Sequence, residues 1–206
     1  MEICRRGILM KDKKIFIADK LQGTKVNLAD YTHIRAYHAC RIEDENVYRN
    51  KGLVAFNRES ALKDAIIKLR SGKVTELEIR NQFNLEWESL GTNYSPQIWL
   101  MLEKAELLGK SCHYLIYGSE FLNCLAMRLG CRDRLKTIGR PAIIVCDIPI
   151  KCISKLWLQG LEKDIWHRNT ADRSIAVCNV RPQDIIEIIY PTGTVEDPYT
   201  KFQYNL

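Results

Sequence analysis

The longest apolar runs in this sequence have the length of a single buried strand. The clearest is Ala142–Cys146, where β-branched and other apolar residues follow one another within a predicted buried strand over residues 141–148. No run approaches the ~18 apolar residues that a membrane-spanning helix needs. Lys11, Lys13 and Lys14 interrupt the N-terminal region before it reaches the apolar length of a signal peptide. We therefore expect a cytoplasmic protein that does not enter the membrane.

The order of the predicted elements favours an α+β fold over a regular alternation of strands and helices. Strand patterns cover residues 34–40, 98–102, 112–117, 141–148, 174–180 and 185–190. Helix patterns cover residues 43–51, 57–72, 74–83, 103–108 and 119–130. Helices therefore dominate the N-terminal half, and strands with one intervening helix dominate the second half. A length of 206 residues predicts one domain, residues 1–206, with a peripheral segment at 1–30 and an exposed C-terminal tail at 191–206.

Capping residues mark the start of three of the predicted helices. Asn57 and Ser119 are good N-cap residues, and Thr75 with Glu78 has the spacing of a capping box. Gly52 and Gly130 follow the last helical residues of two segments, where glycine commonly ends a helix.

Charge and cysteine content exclude several functions without identifying one. The net charge is +6, and basic residues are interleaved with acidic ones, which is typical of a solvated surface but permits an anionic ligand or nucleic acid. The eight cysteines form no C-x-x-C pair, so we expect reduced thiols and no metal site. The glycine-rich nucleotide motifs, the G-x-S-x-G elbow and the H-E-x-x-H motif are all absent.

The first candidate segment begins at the end of the predicted strand 34–40. His38 could offer a ring nitrogen to a ligand hydroxyl. Arg41, Asp44 and Tyr48 follow at steps of three and four residues, a spacing that would place them on one helical face. A core histidine followed by an ion-paired helix explains the same residues, so spacing alone leaves both interpretations open.

The second candidate segment covers residues 113–122. Strand alternation would place His113 and Tyr117 on one face, and Gly118 would allow close backbone approach. Ser119 and Glu120 would then stand at a helix N-terminus, where backbone N–H groups favour an anion. An ordinary helix start with a serine cap and an acidic first-turn residue is the alternative.

At these two segments the sequence resembles the ADP-ribosyltransferase superfamily, and within it a poorly characterised, toxin-like bacterial group. Tyr37-His-Ala-Cys-Arg41, with Tyr48 and Gly52-Leu53, is similar to the His-containing first strand and the helix after it. The segment 113–122 resembles a later strand-into-helix motif of the bacterial group. Residues 141–149 resemble a sheet strand, and residues 181–185 the connection before a final strand. The similarity covers roughly residues 31–198.

The resemblance implies a split antiparallel β core, with NAD⁺ bound in the cleft between its halves. His38 would bond the ribose hydroxyls of NAD⁺, and Tyr117 would pack on the nicotinamide ring. Ser119 would support the carboxylate of Glu120, which would stabilise the sugar cation that forms as nicotinamide leaves. Arg41 and Tyr48 would contribute to cofactor binding or support the His38 strand.

The position of the catalytic glutamate and the activity itself remain expectations. The superfamily usually takes this glutamate from a late strand, where Glu187 is the candidate here; Glu120 is preferred. The expected activity is NAD⁺-dependent transfer of ADP-ribose to a protein or nucleic-acid acceptor. A toxin role in bacterial antiviral defence or a toxin–antitoxin system would add an antitoxin protein as partner. The alternatives are a catalytically inactive member that binds a nucleotide or a partner, and a nucleic-acid-binding protein without NAD⁺ chemistry.

Overall fold

The computed structural model describes residues 13–91, 94–169 and 173–206 and shows an α+β fold with a mostly antiparallel sheet, as the sequence predicts. Its strands are β1 (Ile15–Phe16), β2 (His33–Ile42), β3 (Leu53–Val54), β4 (Ile98–Met101), β5 (Arg140–Pro149), β6 (Ser174–Val177), β7 (Asn179–Val180), β8 (Ile185–Ile189), β9 (Thr194–Glu196) and β10 (Gln203–Asn205). Its α-helices are α1 (Glu45–Lys51), α2 (Arg58–Leu69), α3 (Glu76–Ser89), α4 (Lys104–Leu108), α5 (His113–Tyr117), α6 (Glu120–Arg128) and α7 (Lys155–Trp166). Residues 1–12 of the predicted peripheral segment lie outside the described residues.

The sheet is organised around two long strands. β2 and β5 pair antiparallel from His33 opposite Pro149 to Ile42 opposite Arg140. The strand order is β6-β4-β2-β5-β8, and β1 pairs with β2 in parallel. The register of β2 with β4 consists of one pair, Tyr37 opposite Met101. Residues 13–30 are not peripheral throughout, because Phe16 and Leu28 are buried in the main core.

The two faces of β2 pack against different parts of the molecule. Ala36 and Cys40 point into the main core with Leu161 and Ile165 of α7, and we call this side the α7 face. Ala39 on the opposite side packs with Leu115 of α5, which defines the α5 face. Because side chains alternate along a strand, even-numbered residues of β2 lie on the α7 face and odd-numbered ones on the α5 face.

The predicted helix caps are confirmed. The Asn57 side chain accepts the Ser60 N–H at 2.8 Å, and Thr75 and Glu78 form the capping box. α3 continues past residue 83 to Ser89, because the stacked rings of Phe83 and Trp87 both pack against Phe121 of α6. In the part of the chain that the structure describes, no helix combines the length and apolar character needed to cross a membrane.

The prediction of a strand over residues 112–117 is wrong, because His113–Tyr117 forms the short helix α5. Cys112 and Ile116, four residues apart, face the core formed with α2, α3 and α6, whereas Leu115 faces the α5 face of the sheet. A helical turn thus buries apolar side chains in two directions. This packing overrides the strand preference of the aromatic and β-branched residues.

Two further predictions are wrong in the second half. Residues 191–206 are not an exposed tail, because β9 and β10 form a hairpin whose Val195 packs in the core with α5 and α6. The turn signals there mark bends of the hairpin rather than loose chain. An additional helix, α7, fills residues 155–166 and covers the sheet with Leu161 and Ile165.

Candidate functional site

Glu120 is the first residue of α6, immediately after a tight turn. Gly118 has a φ of +87°, a conformation that favours glycine, and it lies against the Arg41 side chain. Ser119 then caps the helix, since its hydroxyl accepts the Leu122 N–H at 3.5 Å. The turn presents the carboxylate of Glu120 at the surface, where 47% of the side chain is exposed.

The Glu120 carboxylate is held by groups from three segments. His113 Nε2 donates to Oε2 at 2.9 Å, and the Tyr199 hydroxyl donates to Oε1 at 3.1 Å. Cys124 Sγ lies 3.7 Å from the same Oε1. The hydrogen bond from His113 is the main cause that lowers the pKa of Glu120, and it outweighs the opposing effect of burial. Glu120 is therefore an ionised, reachable carboxylate at neutral pH.

A buried polar cluster adjoins Glu120. The Tyr117 hydroxyl donates to Asp197 and accepts a hydrogen bond from Arg132 Nη2 at 2.7 Å. Arg132 also lies 3.5 Å from Asp197 Oδ1. Burial opposes ionisation of Asp197, but the hydrogen bonds from Tyr117, the Tyr199 N–H and Thr200 lower its pKa overall. The cluster therefore holds a buried carboxylate beside a guanidinium.

Arg132 lies between two aromatic rings. Its guanidinium carbon is 4.2 Å from the centroid of the Tyr117 ring and 4.4 Å from that of Tyr199. Such cation–π contacts hold a guanidinium in one orientation. The Nε–H of Arg132 is buried and has no hydrogen-bond partner among the described residues. Tyr199 thus connects Arg132 to Glu120.

An open groove of about 760 Å³ runs beside this cluster. Lys73, Arg132 and Arg134 are its cationic lining residues, Asp133 is its single acidic one, and Tyr117 and Thr200 form part of the wall. We call this cavity the basic groove. A volume of this size is typical of a small-molecule site, and its charge favours an anionic ligand.

The structure brings together some of the sequence-predicted site residues and separates others. Tyr117 lines the basic groove, whereas Ser119 and Glu120 follow it in the chain outside that lining, and Tyr199 connects Glu120 to Arg132 of the wall. His38 lies on the α7 face of β2, and its Nδ1 is 2.9 Å from the Trp99 carbonyl oxygen. Tyr48 packs against the core of that same face. His38 and Tyr48 are therefore on the opposite side of the sheet from Glu120.

Arg41 is in β2 rather than on a helix with Tyr48, so the predicted shared helical face of Arg41, Asp44 and Tyr48 is wrong. Its guanidinium lies on the α5 face and donates to five backbone carbonyls and one hydroxyl. These acceptors are Leu115, Ile116, Lys136, Ile138 and Gly139, with the Tyr204 hydroxyl. Because the side chain has five N–H donors, these contacts use all of them. Arg41 thus fixes the end of α5 rather than facing a ligand.

Tyr117 and Glu187 also differ from their expected settings. Tyr117 is only 2% exposed, so it contributes the edge of a wall rather than a free ring for stacking. Glu187 is exposed on β8 opposite Val145, and its negative charge contributes to raising the pKa of Arg35. Neither Glu187 nor Glu120 lines the basic groove, but Tyr199 links Glu120 to Arg132 of its wall.

Sequence reasoning missed Arg132, Asp197 and Tyr199. The signal at Asp197-Pro-Tyr199 was visible, since an aspartate can bond to the backbone two residues on, and Asp197 accepts the Tyr199 N–H at 2.9 Å. It indicated a turn but not its buried partner, Tyr117. Nothing in the local pattern around Arg132 indicates that two distant tyrosines enclose it.

Neither possible metal ligands nor similarity to known proteins helps to identify the function of this site. In residues 13–91, 94–169 and 173–206, no group of three or more His, Cys, Asp or Glu side chains is placed to hold a metal ion. The chain matches no protein-family model, no curated protein and no solved structure. The chemistry open to the site is that of an ionised carboxylate beside a cationic groove.

Proposed function

We propose that this protein is an NAD⁺-dependent ADP-ribosyltransferase in which Glu120 is the catalytic carboxylate. The observation that carries the proposal is the Glu120 carboxylate itself, which His113 and Tyr199 orient and keep ionised beside the basic groove. Residues 113–122 resemble the ADP-ribosyltransferase motif in sequence, although His113–Tyr117 is a helix here instead of the strand of that motif. The cationic side chains that line the groove, Lys73 and Arg134, suit an anionic group of the dinucleotide.

The role of Glu120 follows from where charge develops in the reaction. As the bond between ribose and nicotinamide breaks, its electron pair leaves with nicotinamide and the sugar becomes positively charged. A carboxylate already oriented by His113 and Tyr199 stabilises that charge without reorganising. The acceptor nucleophile then forms the new bond and loses its proton to solvent or to a nearby base. Ser119 assists by fixing the first turn of α6.

His38 has a different role in this proposal from the one that the family resemblance implies. It lies across the sheet from Glu120 and bonds the Trp99 carbonyl, which suits support of the contact between β2 and β4. This separation favours a second candidate, a member that binds a nucleotide or a partner without transferring ADP-ribose. Both candidates predict ligand binding, but only the transferase should turn over NAD⁺.

The direct test is release of nicotinamide and transfer of label from NAD⁺ labelled in its ADP-ribose half, with cell lysate as acceptor. Glu120→Gln should abolish both while leaving the circular dichroism spectrum and thermal midpoint near those of the parent. Glu187→Gln is the matched control, an exposed glutamate on β8, and should retain both. Loss with Glu187→Gln instead would move the active site to β8. NAD⁺ binding by calorimetry without any turnover would favour the binding candidate.

The acceptor and the biological setting belong to the same proposal. Protease and nuclease treatment of the labelled lysate distinguishes a protein acceptor from a nucleic-acid acceptor. A cytoplasmic toxin that an antitoxin neutralises should arrest growth when it is expressed alone, and Glu120→Gln should relieve that arrest. Steeply salt-dependent nucleic-acid binding without NAD⁺ binding would instead favour a nucleic-acid-binding protein.

A further inference from the structure

Two cationic side chains of the basic groove have no acidic partner among the described residues. Lys73, Arg132 and Arg134 line the groove, but Arg132 lies 3.5 Å from Asp197 Oδ1, and the acidic lining residue is Asp133. That carboxylate is 92% exposed and lies 2.8 Å from Lys136 Nζ, which balances its charge. In the described ranges Lys73 and Arg134 form no ion pair, so their charges are available to a ligand.

Donors in the groove are held in place before any ligand arrives. Arg134 Nε donates to the Lys68 carbonyl at 2.6 Å, which anchors the side chain. Ser71 Oγ accepts the Lys73 and Val74 N–H groups at 3.3 Å each, which fixes the turn that carries Lys73. The Tyr117 and Tyr199 rings enclose Arg132. Fixed donors lose less entropy when a ligand binds, so they favour affinity.

The side chains that line the groove match a phosphate group better than they match a carboxylate ligand of similar size. Arg132 and Arg134 have guanidinium groups, which match the spacing of phosphate oxygens, and Lys73 adds a point charge. Ser71 also lines the groove and adds a hydroxyl, whereas the hydroxyls of Thr137 and Thr200 donate to the Arg134 carbonyl and to Asp197. The volume of about 760 Å³ has room for a nucleoside together with its phosphates.

We propose that the basic groove is a nucleotide-phosphate site, in which Lys73 and Arg134 bind the phosphates and Arg132 forms the inner wall. The phosphate assignment stands on the groove alone. The further identification of the ligand as the diphosphate of NAD⁺ rests on the proposed function. In that case the phosphates lie beside Arg134, and the nicotinamide ribose extends past Tyr117 towards Glu120.

The test is calorimetric titration of the full chain with ADP and, separately, with inorganic pyrophosphate. Lys73→Ala with Arg134→Ala should weaken ADP binding roughly tenfold or more, because it removes two charged donors. The charge-matched control, Lys63→Ala with Arg80→Ala, removes two exposed cations from α2 and α3 outside the groove and should bind ADP as the parent does. Pyrophosphate should compete with ADP.

Three results would overturn this site: no binding of either probe at millimolar concentration, equal weakening in both double variants, or binding of an oligonucleotide without ADP. The proposed function fails differently. If ADP binding depends on Lys73 and Arg134 but no nicotinamide is released from NAD⁺, the phosphate site stands and the transferase activity is rejected. If nicotinamide is released at the parent rate in the Lys73→Ala, Arg134→Ala variant, the activity stands and the phosphate site is rejected.

Discussion

The Tyr117 hydroxyl donates a hydrogen bond to the Asp197 carboxylate, which lies 80 residues further along the chain. This contact joins the end of α5 to the C-terminal hairpin. Both residues are 2% exposed, so the bond is buried, and the partly buried Arg132 lies beside it.

Replacing Asp197 should destabilise the whole fold. Asp197→Ala leaves the Tyr117 hydroxyl and the Arg132 guanidinium without their acceptor, and a buried group left unsatisfied costs about 1–3 kcal/mol, more when it is charged. Asp197→Asn keeps an acceptor and should cost less. Urea unfolding measures the difference. A loss below about 0.5 kcal/mol for the alanine variant, typical of neutral surface changes, would show that the cluster does not stabilise the fold.

Removing the Tyr199 hydroxyl should impair the reaction more than the fold. Tyr199→Phe keeps the ring over Arg132 but deletes the hydrogen bond to Glu120. That bond helps to lower the pKa of Glu120, so its loss should raise this pKa and move the acid limb of the rate–pH profile to higher pH.

Tyr94→Phe, which removes the hydroxyl of another exposed tyrosine, is the control for this change. It should leave both rate and profile unchanged. A Tyr199→Phe variant with the parent rate and an unshifted acid limb would remove Tyr199 from the positioning of Glu120.

Stability should fall in acid because of two buried aspartates. Burial opposes ionisation of Asp147, but hydrogen bonds from Arg35 and Lys13 lower its pKa, and the pKa of Asp197 is lowered as described above. A lowered folded-state pKa stabilises the fold above the ordinary value of 3.8, and this contribution is lost as the pH falls through the folded-state pKa.

Urea unfolding from pH 7 to pH 3 should therefore show most of this loss below about pH 4. The double variant Asp147→Asn, Asp197→Asn should be less stable at pH 7 and should show a flatter dependence on pH. A variant whose stability falls in parallel with that of the parent would assign the acid sensitivity to other carboxylates.

His38→Ala should leave the groove intact. The imidazole lies on the α7 face, and its removal deletes the hydrogen bond to the Trp99 carbonyl. We expect this loss to lower the free energy of unfolding by about 1 kcal/mol. We expect ADP affinity within twofold of the parent and continued nicotinamide release. If the folded variant binds ADP normally but has lost NAD⁺ binding, the nicotinamide end of the dinucleotide reaches the α7 face instead.

Local signals predicted much of this fold, and contacts between distant segments account for what they missed. Asn57, Ser119 and the Thr75–Glu78 box each act within one turn of chain, so the sequence shows them directly. The apolar run of β5 is equally plain. Residues 112–117 carry no local sign that two separate cores would require a helix there.

The separation of the candidate site residues onto opposite sides of the sheet could have been predicted in part. His38 and Arg41 are an odd number of residues apart, so they must face opposite sides of any strand that contains both. The predicted strand ended at residue 40, whereas β2 continues to Ile42. The pairing of Tyr117 with Asp197 could not be predicted, because no pattern near Asp197 indicates which segment packs on the hairpin.

The position of Tyr199 in the hairpin has a consequence for the newly made protein. Arg132 is enclosed only when rings from both α5 and the hairpin are present, and Glu120 takes one of its donors from the same hairpin. A ribosome-bound chain that has emerged only as far as β8 therefore carries an incomplete site. Glu120 and Arg132 therefore gain their full set of partners only after the hairpin has emerged and packed against α5.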